Sequence, residues 1–453
     1  MSLQTPRKAD DRLTRAIGPW SLGANAVNLS VGAGIFALPA AVAGILGPAS
    51  ILAYLVCGLA IALVLTCFAE LGTRVTRSGG AVAYIEDSFG RMAGFVAWVV
   101  FTLGFCAAAD AAVGAILVDA VAAVVPAAGQ GSGRVIALVA VYAVLAAVNI
   151  RGVRAGARLA VATTAGKLLP LMLIIGTGAL AVNVANLRWD AWPPPSQVGE
   201  ASLVLFFAFS GAECAVTPGG EIRDPSRTVP RGLLGATAFL IAFYCAVQII
   251  SQGVLGPDIT RHGGAPLAAV AERLFGSGGR GLVLACTALA TLGVLAGDLL
   301  ATPRSFIPVA EDGMLPPALA RVHGRYHTPH VAIVTYAAVS CALAVSGTFR
   351  PLAILASVSL LLIYLAVCLA ALKMRRSGPA PAGAFRAPGG PLVPLLGAAT
   401  VAWLLAHTTR AEALGLAITV GAATAYFLLR RQVLRGRRAA GRAHLEEGTQ
   451  GRA

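Results

Sequence analysis

One hydrophobic segment constrains this chain more than any other: Ile17 to Leu46, interrupted at its centre by Val31-Gly32-Ala33-Gly34-Ile35-Phe36. About 20 apolar residues cross a bilayer, so the segment spans one with length to spare. Two glycines flanking one alanine make its middle easy to unwind. Backbone unwound at membrane depth persists only where protein buries it or a polar cavity faces it. The break therefore has two readings: a small-residue surface for close helix packing, or the midplane solute site of a secondary transporter.

The rest of the chain decides between them. Of its 453 residues 57% are hydrophobic and 12% charged, which excludes a soluble or disordered protein and predicts an all-α integral membrane protein. Apolar runs fall into about twelve spans, roughly 17–46, 48–72, 92–126, 134–150, 159–182, 200–222, 232–256, 280–303, 330–347, 351–372, 391–408 and 411–429. Span 6 carries a second interruption, Phe206-Phe207-Ala208-Phe209-Ser210-Gly211-Ala212-Glu213, followed by Thr217-Pro218-Gly219-Gly220. Spans 1 and 6 stand five helices apart and so enter the membrane from opposite sides. Two interrupted helices at equivalent positions of two halves point to an inverted repeat with a midplane site. The pairing favours a transporter over plain packing.

The formal charge of +15 would suit nucleic acid, but its placement gives another account. With the N-terminus in the cytoplasm, outer loops hold only Arg134, Arg188, Arg261, Arg273, Arg280, Arg350 and Arg410, and Lys167 falls inside a span. Every other Lys and Arg lies on the inner side. This positive-inside bias predicts a multi-pass protein of the cytoplasmic membrane with both termini in the cytoplasm. The basic surplus reads as contact with anionic lipid, not nucleic acid. The first apolar segment lacks a signal-peptide cleavage pattern, so no leader is expected to be removed. The outer segment Pro266 to Phe275 predicts a short surface helix, and the Arg/Gly-rich stretch from Arg430 a disordered tail.

Four stretches together resemble the amino acid–polyamine–organocation transporter superfamily. They are Gly32-Ala33-Gly34-Ile35-Phe36 with Pro39; Glu70-Leu71 with Arg77-Ser78-Gly79-Gly80-Ala81-Val82-Ala83-Tyr84; Phe207 to Glu213 running into Asp224-Pro225-Ser226-Arg227-Thr228-Val229-Pro230; and Ala310-Glu311-Asp312-Gly313-Met314-Leu315-Pro316 with Thr328-Pro329. Phe385-Arg386-Ala387-Pro388-Gly389 adds a weaker fifth. The resemblance implies a leucine-transporter-type (LeuT-like) fold of twelve transmembrane helices. Its parts are a tail at 1–16, a five-helix repeat at 17–182, its inverted partner at 200–372, helices 11 and 12 at 391–429, and a basic tail at 430–453. Glu311 departs from the residue more usual in the family, and Asp110 and Asp298 inside spans are atypical.

An amino acid carries a carboxylate and an ammonium, and two broken helices bind both with backbone. The half-helix starting near Gly34 presents N–H groups and a positive dipole end to the carboxylate. The half-helix ending near Phe209 turns the carbonyls of about Phe206 to Phe209 toward the ammonium. Gly32, Ala33, Gly34, Ile35, Phe36, Phe206, Phe207, Phe209, Ser210 and Asp110 are accordingly expected to bind substrate. By resemblance, Phe207 matches an aromatic gate. Lys167 matches a helix-5 lysine of sodium-independent relatives, whose ammonium sits where sodium would otherwise bind; roles as proton carrier or fixed strut stay open. A charge at its depth costs roughly 2.5–3.5 kcal/mol on insertion scales, which favours function over chance. Glu213 and Asp298 join Lys167 as expected coupling residues, while Glu70 and Asp119 read as structural.

His323, His327 and His330 have a spacing that invites a metal, but Thr328-Pro329 breaks any common helical face and no Cys or paired acid accompanies them, so no metal and no cofactor is expected. The chain has no Walker loop on which to argue ATP-driven transport. The expectation is a sodium-independent amino acid permease working by alternating access, by proton coupling or exchange. The alternative is a polyamine or cationic amino acid exchanger. A membrane-embedded enzyme lacks its constellation of side chains, and a nutrient sensor lacks a signalling domain. Neutral or mixed substrates are favoured, because the sequence does not place Asp110 and Asp298 in the pocket.

Overall fold

The computed structural model describes residues 15–32, 34–122, 125–151, 167–263, 265–378, 381 and 383–450, with 435–450 as backbone. Ala33, most of the N-terminal tail and the beginning of span 5 lie outside the described residues. The helices run α1 (Pro19–Ser30), α2 (Gly34–Leu46), α3 (Ile51–Arg74), α4 (Gly80–Phe89) and α5 (Arg91–Ala122). They continue as α6 (Gly131–Arg151), α7 (Lys167–Ala181), α8 (Pro195–Phe209), α9 (Pro225–Leu255) and α10 (Pro266–Ala301). The last are α11 (Phe306–Glu311), α12 (His330–Ser346), α13 (Phe349–Arg376), α14 (Leu392–Leu405) and α15 (Arg410–Gln450). Among the described residues 8 helical stretches are long and apolar enough to cross a membrane, and three shorter apolar helices accompany them.

Local chemistry explains many of the boundaries. Prolines open α1, α8, α9 and α10, where a missing N–H costs nothing. Gly256 ends α9 at φ 59°, a conformation that glycine adopts without a Cβ penalty. The first part of α10 breaks at Gly276, so Pro266 to Phe275 is a distinct helical piece as the sequence predicts. Its Leu267, Ala268, Val270 and Ala271 are buried, while Arg273 and Phe275 are exposed. The tail expectation is corrected. α15 continues to Gln450, past Arg430, through a sequence rich in the helix formers Ala, Leu, Arg and Glu.

The core is built around α8. It packs against α2, α3 and α13, while α5 lies against α10, α12 and α13, and α1 against α9. Phe206 and Phe209, three residues apart and so on one helical face, bury their rings against Tyr364, and against Tyr54 and Tyr244, respectively. Within α5 the stretch Val100–Cys106 is π-helical, a widening often found beside functional sites.

Candidate functional site

The two helix interruptions meet. α1 stops at Ser30, α2 starts at Gly34, α8 stops at Phe209, and a short 3-10 turn resumes at Ala212–Val216. Gly211 adopts φ 109°, and a Cβ there would stand 2.5 Å from the Leu29 carbonyl oxygen. No other residue fits that approach. One cavity of about 180 Å³ lies at the junction, lined by Gly32, Gly34, Asp110, Lys167, Phe207, Ser210 and Asp298 among others.

The end of α1 is held by two side chains from distant helices. Lys167, only 4% exposed, donates its ammonium to the Asn28 carbonyl at 2.6 Å. Tyr244 donates its hydroxyl to the Ser30 carbonyl at 2.8 Å. These carbonyls belong to the last turn of a helix, which carries the negative dipole end; the Ser30 carbonyl also accepts from the Gly32 N–H at 2.7 Å. An ammonium there is both hydrogen-bonded and electrostatically matched.

Phe207 lies across the start of α2. Its ring Cδ1 would stand 3.0 Å from a Cβ on Gly34, and it packs edge-on against Phe349 with centroids 5.9 Å apart. Ser210 turns its hydroxyl back to the Phe207 carbonyl at 2.7 Å, so one of the carbonyls expected to face a ligand already accepts a protein hydrogen bond. Phe206 and Phe209 point their rings into the core away from the cavity, and Ile35 is buried outside its lining. Phe36 instead borders a second cavity, of about 250 Å³, beside Asp119, Arg261 and Arg280. Phe206, Phe209, Ile35 and Phe36 therefore lie outside the lining of the first cavity.

Glu213 does not line the cavity. Its Oε2 accepts from the Gly211 N–H at 2.9 Å and from the Tyr364 hydroxyl at 2.7 Å, which fixes the turn after α8. Asp110 is fully buried: Tyr336 donates to Oδ2 at 2.8 Å, and Tyr142 donates to its backbone carbonyl at 2.8 Å. Asp298 on α10 is its neighbour across the cavity wall. Tyr244, Tyr336 and Tyr364 are thus members of the site that sequence reasoning passes over. Their only signal is an apolar span carrying one hydroxyl, which any packed helix also shows.

Other polar groups are engaged elsewhere. Glu70, with no exposed surface, pairs with Arg74 at 3.2 Å, with Arg375, and with the Ala387 N–H at 3.1 Å. Asp119 pairs with Arg134. The His323 ring packs edge-on against His330 and its Nδ1 accepts from the Arg325 N–H, and no group of three metal-binding side chains occurs among the described residues.

A cavity enclosed by two broken helices, in a bundle of apolar helices, is the architecture of a solute carrier. The chain belongs to the amino acid permease family, whose model matches residues 17–426. It is 27% identical over 433 residues to the serine/threonine exchanger SteT of Bacillus subtilis, covering 91% of this chain and 96% of that one. An uncharacterized transporter of Mycobacterium tuberculosis is 30% identical, over 95% of this chain and 94% of its own. The methylthioribose transporter of Bacillus subtilis is 24% identical, over 95% and 96%. The protein is therefore a multi-pass membrane permease and not an enzyme.

Proposed function

We propose that this permease carries amino acids across the cytoplasmic membrane by alternating access, without sodium, using a LeuT-like inverted repeat of five plus five helices followed by two more. The observation that carries the reading is the meeting of two helix breaks of opposite polarity at one cavity. The start of α2 offers N–H groups to a carboxylate, and the end of α8 offers carbonyls to an ammonium. Phe207, lying over the start of α2, acts as the lid on a bound substrate. Glu213 keeps the second break open in the shape that binding needs.

Sodium independence follows from Lys167. Its ammonium on the Asn28 carbonyl supplies, from the protein itself, the positive charge that a sodium ion would bring to the end of α1. Exchange is supported by the similarity to SteT, a serine/threonine exchanger. Both termini are assigned to the cytoplasm on the charge asymmetry of the loops.

Uptake into proteoliposomes tests the reading. Labelled amino acid should enter equally well when choline replaces sodium, and faster when the lumen is preloaded with unlabelled amino acid. Lys167→Ala removes a charge-assisted bond worth about 1.5–3 kcal/mol, so transport should fall roughly 10- to 100-fold. Uptake that vanishes in choline, or an unimpaired Lys167→Ala variant, would defeat the role given to Lys167.

A further inference from the structure

Asp110 is fully buried, yet only one of its carboxyl oxygens has a partner. Tyr336 serves Oδ2, while Oδ1 is enclosed and accepts no hydrogen bond from the described residues. Asp298 stands beside it on the facing helix, and both line the cavity between the two helix breaks. A buried carboxyl oxygen without a donor is unfavourable, and a second carboxyl group close by adds repulsion. A donor arriving with a ligand relieves both.

The charges of the cavity wall point to the kind of donor. Lys167 is the one cationic side chain on that wall among the described residues, and its ammonium is engaged by the Asn28 carbonyl. A zwitterionic amino acid is already matched by the two helix ends and brings nothing to offset Asp110 and Asp298. Sequence alone favours neutral or mixed substrates because it leaves the two aspartates unplaced. Their convergence on one cavity removes that ground.

We propose that Asp110 and Asp298 form a subsite for a second positive charge on the substrate, the side-chain ammonium or guanidinium of a cationic amino acid. The inference rests on the reading that α2 and α8 hold the substrate's own carboxylate and amino group. Space for the intervening methylenes is present. A Cβ on Gly297, which also lines the cavity, would meet nothing within 4 Å. Phe105, Val113 and Val294 supply apolar wall for an aliphatic stem. Tyr336 is a positioning residue: its hydroxyl holds Oδ2 of Asp110 and so sets the carboxyl beside Asp298.

The test is uptake and competition in proteoliposomes with arginine, lysine, leucine, serine and putrescine, on wild type, Asp110→Asn, Asp298→Asn and Tyr336→Phe, each checked for monodispersity. Wild type should prefer arginine or lysine. Breaking a buried charge pair typically costs 3–5 kcal/mol, so the Asn variants should raise KM for the cation on the order of a hundredfold or more. Leucine or serine KM, where measurable, should move less than about threefold. Wild-type preference for leucine or serine, with cations unbound, would overturn the subsite while leaving the amino acid reading intact. So would equal loss of neutral and cationic uptake together with loss of pH dependence in the Asn variants, which would make the pair a proton carrier. Transport of putrescine but of no amino acid would overturn both readings.

Discussion

Glu70 and Asp110 are both completely buried acids within apolar helices, and they are treated in opposite ways. Every oxygen of Glu70 is occupied: Arg74, Arg375 and the Ala387 N–H converge on it, tying α3 to the end of α13 and to the chain beyond. Asp110 has one tyrosine hydroxyl, a neighbouring acid, and an oxygen left without a partner. A buried charge whose partners all come from the protein locks elements together. In Asp110, which also borders a cavity, the protein's own partners stop short. On the reading proposed above, the same residue chemistry yields a fastener in one place and a receptor in the other.

Three substitutions sharpen that contrast. The largest effect on transport is expected from Gly34→Leu, because the added side chain collides with Phe207 and Leu38 at the start of α2. Uptake should disappear from protein that still inserts and elutes as a single species; normal uptake would remove the case for this half-helix as an anion site. Glu70→Ala should act on stability instead. It strands two buried or half-buried guanidinium groups and should cost about 3–5 kcal/mol, read as a lower melting temperature in detergent, while substrate KM in the surviving protein stays within about twofold. A KM shift as large as that of Asp110→Asn would erase the distinction between fastener and receptor. The smallest effect belongs to Tyr336→Phe, which deletes one hydrogen bond worth about 1 kcal/mol and should raise KM for a cationic substrate roughly fivefold with little change in melting temperature.

Much of this arrangement is legible from the chain itself. Gly32 and Gly34, and the run Phe206 to Gly211, announce both helix breaks because glycine and chain polarity act locally. What escapes is whatever depends on two helices far apart in sequence. Nothing in Asp110 or Asp298 alone says that α5 and α10 set them side by side, and nothing in Gly211 says that Leu29 will press against it. The π-helical stretch Val100–Cys106 has no sequence signature, since its residues would suit an ordinary helix equally well.

The capping of α1 also has a bearing on how the protein is made. Its Asn28 and Ser30 carbonyls are satisfied by Lys167 and Tyr244, which lie 139 and 214 residues further along the chain. During synthesis the first helix enters the bilayer before these two side chains exist. At about 5–20 residues per second the wait for Tyr244 is roughly 10–40 seconds. For that interval the nascent chain exposes an unfinished polar edge, and it is completed only when α9 has emerged. The first part of the transport site to be translated is thus among the last to be secured.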